Sequence, residues 1–214
     1  RLKLARVQRR SALRVISAYR TVSGDATLAV SGIPPIDLLA IERQEIYGGR
    51  SKEEARATTL QRWQERWDNS ANGRWTRRLI VDLKTWSQRA HGEVNYHLTQ
   101  ILTGHGCFGA FLYRIGKEQA AACHHCGEAV DDAEHTAFQC SAWTTHRITL
   151  MEALGDESEV SPERMVPSML RSSEAWAAWV AFAATVMKRK EEEERRRQRG
   201  LLPGREDDLS PSLS

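Results

Sequence analysis

Three cysteines and one histidine cluster in this 214-residue sequence with the spacing C-x2-C-x8-H-x4-C. They are Cys123, Cys126, His135 and Cys140. Zinc prefers four such ligands in a tetrahedron, and a C-x2-C turn delivers two thiolates to one ion. Because four protein ligands leave no open position for water or substrate, the pattern predicts a structural zinc rather than a catalytic one. The alternative is a set of unmetallated cysteines in a helical core.

Two more histidines, His124 and His125, lie between the first two cysteines. We expect both to be exposed non-ligands, since adjacent residues cannot easily point at one ion; His125 as a substitute ligand is the minor alternative. The sequence begins with Arg rather than Met and has no apolar signal region near its start, so we expect a piece of a longer, intracellular protein. Paired cysteines in a reducing compartment are more often metal ligands than disulfides.

A G-x-G-x-x-G pattern at Gly104, Gly106 and Gly109 is a weak indication of nucleotide binding. The dinucleotide fingerprint follows a strand, whereas residues 94–102 have helical periodicity. The pattern therefore favours a glycine-rich turn after a helix, and a nucleotide-dependent enzyme is the weakest functional alternative.

No catalytic set is predicted. Asp131 and Asp132 superficially resemble the paired carboxylates of a two-metal site, but they fall between the zinc ligands and are predicted to lie in a solvated loop. Cys107 stands beside His105, and packing as a free cysteine is the expected role. The chain alone is therefore expected to lack polymerase and endonuclease activity.

Residues 62–89 interleave four tryptophans with seven basic residues and only three acids. Arginine and lysine neutralise phosphate, and an exposed ring can stack on a base. Trp63, Trp67 and Trp86 fall on apolar helix faces and are predicted to be core, which leaves Trp75 as the stacking candidate. The predicted nucleic-acid contacts are Arg62, Arg74, Trp75, Arg77, Arg78 and Arg89.

The composition predicts a mainly α protein. Hydrophobic residues make up 41% and charged residues 28%, with 14 Gly and 6 Pro, which excludes collagen-like and wholly disordered chains. The longest apolar run, residues 175–187, is shorter than the roughly 18 residues that a membrane-spanning helix needs. The net charge of +3 is unevenly distributed, because residues 1–20 contain no acid whereas residues 128–159 are strongly acidic. A basic N-terminal face suits phosphate, although a solvated helix face is the usual explanation of such a run.

Local patterns divide the chain into helices. Gly24-Asp25 predicts a turn after a basic first helix, and Pro34-Pro35 predicts the start of the next helix. Ser51 with Glu54 predicts a capping box at the start of a third. Gly104 is predicted to stop a later helix.

Two further helices are predicted from apolar spacing. One helix would carry Leu79, Leu83 and Trp86 on its inner face. The last helix, from about Trp176, would continue past residue 190 as an exposed rod that ends at Gly200.

Several short sequence motifs together resemble the region that follows the polymerase domain in non-LTR retrotransposons, above all the type-1 elements that insert into arthropod ribosomal DNA. They are WQERW at 63–67, GRWTRRLI at 73–80, HGEVNYHLTQ at 91–100 and LTGHG at 102–106. The cysteine cluster resembles the C-terminal zinc knuckle of that family. SAYRTVS at 17–23 and GIPPIDLLA at 32–40 resemble the end of the polymerase thumb. The likeness covers about residues 1–146.

The resemblance implies a C-terminal fragment of a polyprotein that combines an endonuclease with an RNA-directed DNA polymerase, a nucleotidyltransferase, and that copies element RNA into target DNA. Its Mg²⁺ sites belong to catalytic domains that this sequence lacks. The implied partners are element RNA, target DNA and the upstream polymerase domain, with no membrane, and the implied location is the nucleus. The runner-up is a zinc-containing protein-interaction module with Trp-rich helices as its binding surface.

The expected organisation has five segments. They are a thumb-like end of the reverse transcriptase (1–50), a basic helical connector (51–116), a CCHC zinc knuckle (117–146), C-terminal helices (147–199) and a disordered tail (200–214).

Overall fold

The computed structural model describes residues 2–155 and 160–200, which are helical and contain no β-strand. The helices are α1 (Leu2–Val15), α2 (Gly24–Ser31), α3 (Ile36–Tyr47), α4 (Lys52–Asp68), α5 (Arg74–Leu79), α6 (Leu83–Ser87), α7 (Tyr96–Thr103), α8 (Gly109–Arg114), α9 (Thr144–Leu154), α10 (Pro162–Met169) and α11 (Ser173–Gln198). A π-helical turn (His135–Gln139) and a 3-10 turn (Ser141–Trp143) lie between α8 and α9. The predicted mainly α fold is confirmed.

Helices α3 and α4 form a packed pair whose ends follow local sequence chemistry. Pro35 occupies the N-cap position of α3, and Gly48 follows its last residue. At the start of α4, the Ser51 hydroxyl accepts a hydrogen bond from the Glu54 backbone N–H. A proline ring and a serine hydroxyl both favour helix initiation without tertiary help, which is why these boundaries agree with the sequence.

The predicted turn at residues 24–25 is wrong, because α2 begins there. The Ser23 hydroxyl accepts a hydrogen bond from the Ala26 N–H, so Ser23 is the N-cap and Gly24 is the first helical residue. Residues 26–30 of this short helix are all buried. Burial of a whole turn on every side removes the amphipathic periodicity that identifies a surface helix.

The single helix predicted to present Leu79, Leu83 and Trp86 is two helices, α5 and α6. The chain breaks at residues 80–82, where the buried Trp67 indole N–H donates to the Ile80 carbonyl at 2.9 Å. The Asp82 carboxylate then caps α6 by accepting from the Thr85 N–H at 3.0 Å. The break thus satisfies a tryptophan that would otherwise be buried without an acceptor.

One hydrophobic core runs through the described chain, and the first four predicted segments all contribute to it. Helix α11 packs against α7, α9 and α10. Its Trp176 ring lies 5.6 Å from that of Trp86, and Trp179 lies 6.2 Å from Phe138 of the π-helical turn. Packing of one helix against elements from several segments makes α11 the central element of the molecule.

Helix α11 continues to Gln198 as predicted, but beyond residue 190 it is only partly exposed. Lys190 is buried, and Arg197 forms an ion pair with Glu118 at 3.1 Å. Part of this helix therefore packs against the region before the cysteine cluster. Residues 201–214, for which disorder is predicted, lie outside the described residues.

Within the described ranges, no single helix is long and apolar enough to span a membrane. Helices α2 and α3 together have the length and apolar composition of a membrane span, but they are bent by 58° at the break between them.

The close approach of residue 92 to α11 provides a test of this packing. Gly92 has φ +88, and a Cβ there would overlap the Trp176 ring. We expect Gly92→Ala to lower the free energy of unfolding by about 2–5 kcal/mol, from left-handed strain and overpacking together. Gly116→Ala is the matched control, because its φ of +71 is similar and no atom lies within 4 Å of the added Cβ. Urea denaturation of both variants measures the difference; equal losses would contradict the packing.

Candidate metal centre and predicted nucleic-acid contacts

The first two cysteines are brought together by a tight turn. The Cys123 N–H donates to the Glu128 carbonyl at 2.8 Å, and the Gly127 N–H donates to the Cys123 carbonyl at 2.9 Å. Gly127 adopts φ +83, a left-handed conformation that glycine reaches without strain. The turn directs both thiols to one side, as the C-x2-C spacing predicts.

The other two ligands lie at the ends of the π-helical turn. The Asp132 carboxylate accepts a hydrogen bond from the His135 N–H at 2.7 Å, and the Cys140 N–H donates to the His135 carbonyl at 2.7 Å. A π turn is closed by an i→i+5 hydrogen bond and often occurs at functional sites. This turn brings the His135 ring and the Cys140 thiol to the same point.

The four ligand atoms lie within 4.8 Å of one another. The Cys123 and Cys140 Sγ atoms are 3.8 Å apart, and Cys126 Sγ is 3.3 Å from His135 Nε2. A tetrahedron with Zn–S of about 2.3 Å and Zn–N of about 2.05 Å gives S–S near 3.8 Å and S–N near 3.6 Å. The group can therefore hold a metal ion and is compatible with structural zinc.

Burial shapes the chemistry of this group. Burial raises the pKa of the Cys140 thiol to about 12, and it also raises the pKa of Cys123. Metal binding requires thiolates, so a cation at this point would supply the free energy that deprotonation costs.

Neither His124 nor His125 joins the ligand group. His124 is exposed, 3.4 Å from Glu118. His125 is half-buried rather than exposed as predicted, because its ring packs 4.7 Å from that of Trp143. Burial lowers the pKa of His125 to about 4, so this ring is neutral near pH 7.

The prediction that Asp131 lies in a solvated loop is wrong. Asp131 is 2% exposed. Its carboxylate accepts hydrogen bonds from Lys190 Nζ at 2.7 Å, from the Gly109 N–H at 2.9 Å and from the Thr136 hydroxyl at 2.8 Å. This ion pair joins the ligand loop to α11 and to the start of α8.

Sequence reasoning missed Lys190, which lies in a Lys-Arg-Lys run just before the predicted exposed rod. Its position does contain an indication, because residue 190 follows the buried Val186 and Met187 by four and three residues. Residues at those spacings share one helix face. A lysine on the apolar face of a helix indicates a buried carboxylate partner elsewhere.

The glycine-rich pattern has structural roles. Gly104 ends α7 in the left-handed conformation at φ +67. A side chain at Gly106 would overlap Gln100, and one at Gly109 would meet the Ala121 and Ala122 carbonyls. These close contacts explain the glycines without a nucleotide. Cys107 is buried and its thiol contacts Glu194, consistent with the expected packing role.

Two of the predicted nucleic-acid contacts, Arg62 and Arg78, are exposed but occupied by ion pairs. Arg62 contacts Glu45 at 2.9 Å. Arg78 bridges Glu134 at 2.6 Å and Glu163 at 2.7 Å, and so links α5 to the ligand loop and to α10. Arg74 is exposed and has no ion pair in the part of the chain that the structure describes.

Arg77 and Arg89 serve the fold. Arg77 donates to the Trp67 carbonyl in the last turn of α4 at 3.1 Å and to the Ser70 carbonyl just after the helix at 2.6 Å. Arg89 donates to the Trp86 carbonyl at 2.7 Å, and its guanidinium lies 4.3 Å from the Trp86 ring centroid. Both guanidinium groups therefore make contacts within the fold, as hydrogen-bond donors to backbone carbonyls and as cation–π partners of tryptophan rings.

Trp75, the predicted stacking ring, is not fully exposed in the structure. Trp75 is half-buried in α5, its indole N–H donates to the Ile101 carbonyl at 2.7 Å, and its ring lies 6.4 Å from that of Phe138. The polar break ends at Gly73, so Trp75 is already helical and faces the core.

The fold and the site define a helical protein built around a Cys3His group that can hold a metal ion. The chain is similar to Pol polyproteins of type-1 retrotransposable elements R1, which confirms the resemblance seen in its sequence. It is 32% identical, over 62% of its length and 38% of the relative's, to "Retrovirus-related Pol polyprotein from type-1 retrotransposable element R1 2" of Nasonia vitripennis. A second Nasonia vitripennis relative, from element R1 4, is 25% identical over 80% of this chain and 49% of its own length.

A third relative, "Putative 115 kDa protein in type-1 retrotransposable element R1DM" of Drosophila melanogaster, is 30% identical over 68% of this chain. This chain spans 16–49% of the lengths of these three curated relatives. No family model matches the chain, and no solved structure matches it significantly.

The buried ion pair supplies a second test. We expect Lys190→Met to lower the free energy of unfolding by about 3–5 kcal/mol, because the Asp131 carboxylate is left buried without its cation. Lys188→Met, at an exposed position of the same helix, is the control and should change it by less than about 0.5 kcal/mol. Urea denaturation monitored by tryptophan fluorescence measures both, and similar effects of the two substitutions would refute a buried pair.

Proposed function

We propose that this chain is a zinc-stabilised, nucleic-acid-binding segment of an R1-type retrotransposon Pol polyprotein. The observation that carries the proposal is the Cys3His group, which lies in a chain similar to those polyproteins. In the intact polyprotein, other domains would perform RNA-directed DNA synthesis and target cleavage. This segment would bind element RNA or target DNA beside the polymerase. Insertion into chromosomal DNA would place it in the nucleus.

Zinc is the metal that the donor set favours. Three thiols and an imidazole match the Cys3His structural class, and the interatomic distances fit tetrahedral coordination. Cys123 and Cys140 belong to the hydrophobic core, so the ion would tie the ligand loop to the helices around it. The role that follows is structural.

Nucleic-acid binding is supported by the charge of the surface. The sequence carries 31 lysines and arginines against 28 acids, and the acids cluster at residues 42–54, 128–134, 152–163 and 191–194, with none before Asp25. Phosphate contacts depend on local positive charge rather than on the total. The ligand loop, with Glu128, Asp132 and Glu134, would therefore position the contact rather than provide it.

A zinc-containing protein-interaction module is the second candidate. The Trp-rich surface expected for it is absent from the described residues, since Trp63, Trp67 and Trp86 are buried. What favours it instead is an apolar groove of about 720 Å³ between α1 and α3. Its lining includes Leu4, Ile36, Leu39, Ala40 and Ile41.

The zinc proposal predicts one ion per chain, bound by Cys123, Cys126, His135 and Cys140. Structural zinc contributes on the order of 10 kcal/mol in small modules, so Cys126→Ser should lose the metal and lower the melting temperature. Elemental analysis of protein purified without chelator measures the metal. Cys107→Ser is the control, because Cys107 lies outside the ligand group and should leave the zinc content unchanged. Metal-free protein with full stability would contradict the proposal.

The nucleic-acid proposal predicts that the intact chain binds single-stranded RNA or DNA with an affinity that falls steeply as salt rises. On single strands, each phosphate contact contributes about −0.7 to the slope of log binding constant against log salt concentration, so three or more contacts give a slope of about −2 or steeper. Filter binding of a 20-nucleotide strand across a salt series measures it. Undetectable or salt-independent binding would favour the protein-interaction module.

A further inference from the structure

The N-terminal helix has an exposed line of cations. Lys3, Arg6, Arg10 and Arg14 are all exposed and recur at spacings of three and four residues. Such spacings place them on one side of α1, while Ala12, Leu13 and Ile16 face the core. At 1.5 Å per residue, the line is about 16 Å long. No acidic residue occurs in the sequence before Asp25.

Within residues 2–155 and 160–200 these cations have no acidic partner, unlike four exposed arginines between residues 50 and 66. Arg56 pairs with Glu42, Arg50 and Arg62 pair with Glu45, and Arg66 pairs with Asp37. An arginine in an ion pair must lose that partner before it can bind a phosphate. The N-terminal line is free to bind a polyanion without that cost.

A polar cleft lies beyond the end of α1. Arg9 donates to the Arg20 and Val22 carbonyls at 2.7 and 2.6 Å, which holds the segment after α1 against the helix. Residues 21–23 of that segment line a cleft of about 310 Å³, opposite His105 and Arg114. The Thr21 hydroxyl is 2.8 Å from His105 Nδ1. The exposed Arg20 stands between the helix and the cleft in sequence.

We infer that a nucleic-acid strand runs along the α1 cations and reaches this cleft, where Arg114 contacts one of its phosphates. The inference rests on the proposed nucleic-acid binding and moves its contacts from the 62–89 tract to α1. Arginine dominates the line, and its planar fork matches phosphate oxygens in two-point contacts. The polar lining of the cleft suits a phosphodiester or sugar rather than an apolar peptide side chain or lipid chain.

A pair of matched triple variants of the full chain tests the path. Arg6→Gln/Arg10→Gln/Arg14→Gln removes three unpaired cations, and Arg50→Gln/Arg56→Gln/Arg62→Gln removes three paired cations with the same change in formal charge. All six side chains are exposed, so circular dichroism and melting curves should show folded protein in both cases. In filter binding with a 20-nucleotide single strand, we expect the α1 variant to bind about tenfold or more weakly at 0.1 M salt. Its log–log slope should flatten by up to about 2, while the control stays within about twofold.

The outcomes separate this inference from the proposed function. If the unmodified chain does not bind the strand, the proposed function fails. If it binds and the α1 variant binds equally well, the path is wrong. If only the Arg50/Arg56/Arg62 variant loses affinity, the strand binds near Arg62 and not along α1, and the inference is wrong.

Two further measurements complete the test. Arg114→Gln should weaken binding by about threefold to tenfold and flatten the slope by about 0.7, and an unchanged slope would remove the cleft from the path. Vesicles containing phosphatidylserine are the competing polyanion. Binding of the unmodified chain to those vesicles without binding to the strand would overturn the inference.

Discussion

A buried ion pair between Lys190 and Asp131 connects α11 to the ligand loop. Both side chains are 3% exposed, so each charge has lost nearly all its hydration. A buried pair is tolerated only when its remaining hydrogen-bonding capacity is met. Here the Gly109 N–H and the Thr136 hydroxyl donate to the same carboxylate. The pair therefore fixes α11, the start of α8 and the ligand loop in one arrangement.

The Cys3His group is consequently part of the helical fold rather than a separate finger. Phe138, between two of its ligands, packs against Trp75 and Trp179, and Arg78 bridges the ligand loop to α10. Small zinc modules fold because the ion replaces a core. In this chain the ligand loop has both a group that can hold an ion and a share of the core, so metal binding there would be linked to the packing of helices far from it in sequence.

Cationic side chains divide into those that hold the fold and those that face solvent alone. Arg77 and Arg89 satisfy backbone carbonyls and lie over tryptophan rings, and Arg62 and Arg78 neutralise carboxylates. A tract rich in arginine and tryptophan is the composition expected of a nucleic-acid surface, but the same residue types also cap and cover helices. The exposed cations of α1 lie outside that tract, in a part of the chain with no tryptophan.

The sequence alone determined the features that depend on neighbours along the chain. Spacing identified the four candidate ligands, and proline, serine and glycine fixed the starts of α3 and α4 and the end of α7, because caps act within one turn. The short sequence motifs at 63–67, 73–80 and 91–100 identified the relatives. Tertiary structure decided the rest. The break between α5 and α6 depends on the Trp67 indole, the burial of Asp131 depends on a lysine 59 residues away, and the orientation of Trp75 depends on Ile101 and Phe138. Such pairings follow from which surfaces meet in the folded chain, and no local pattern contains that information.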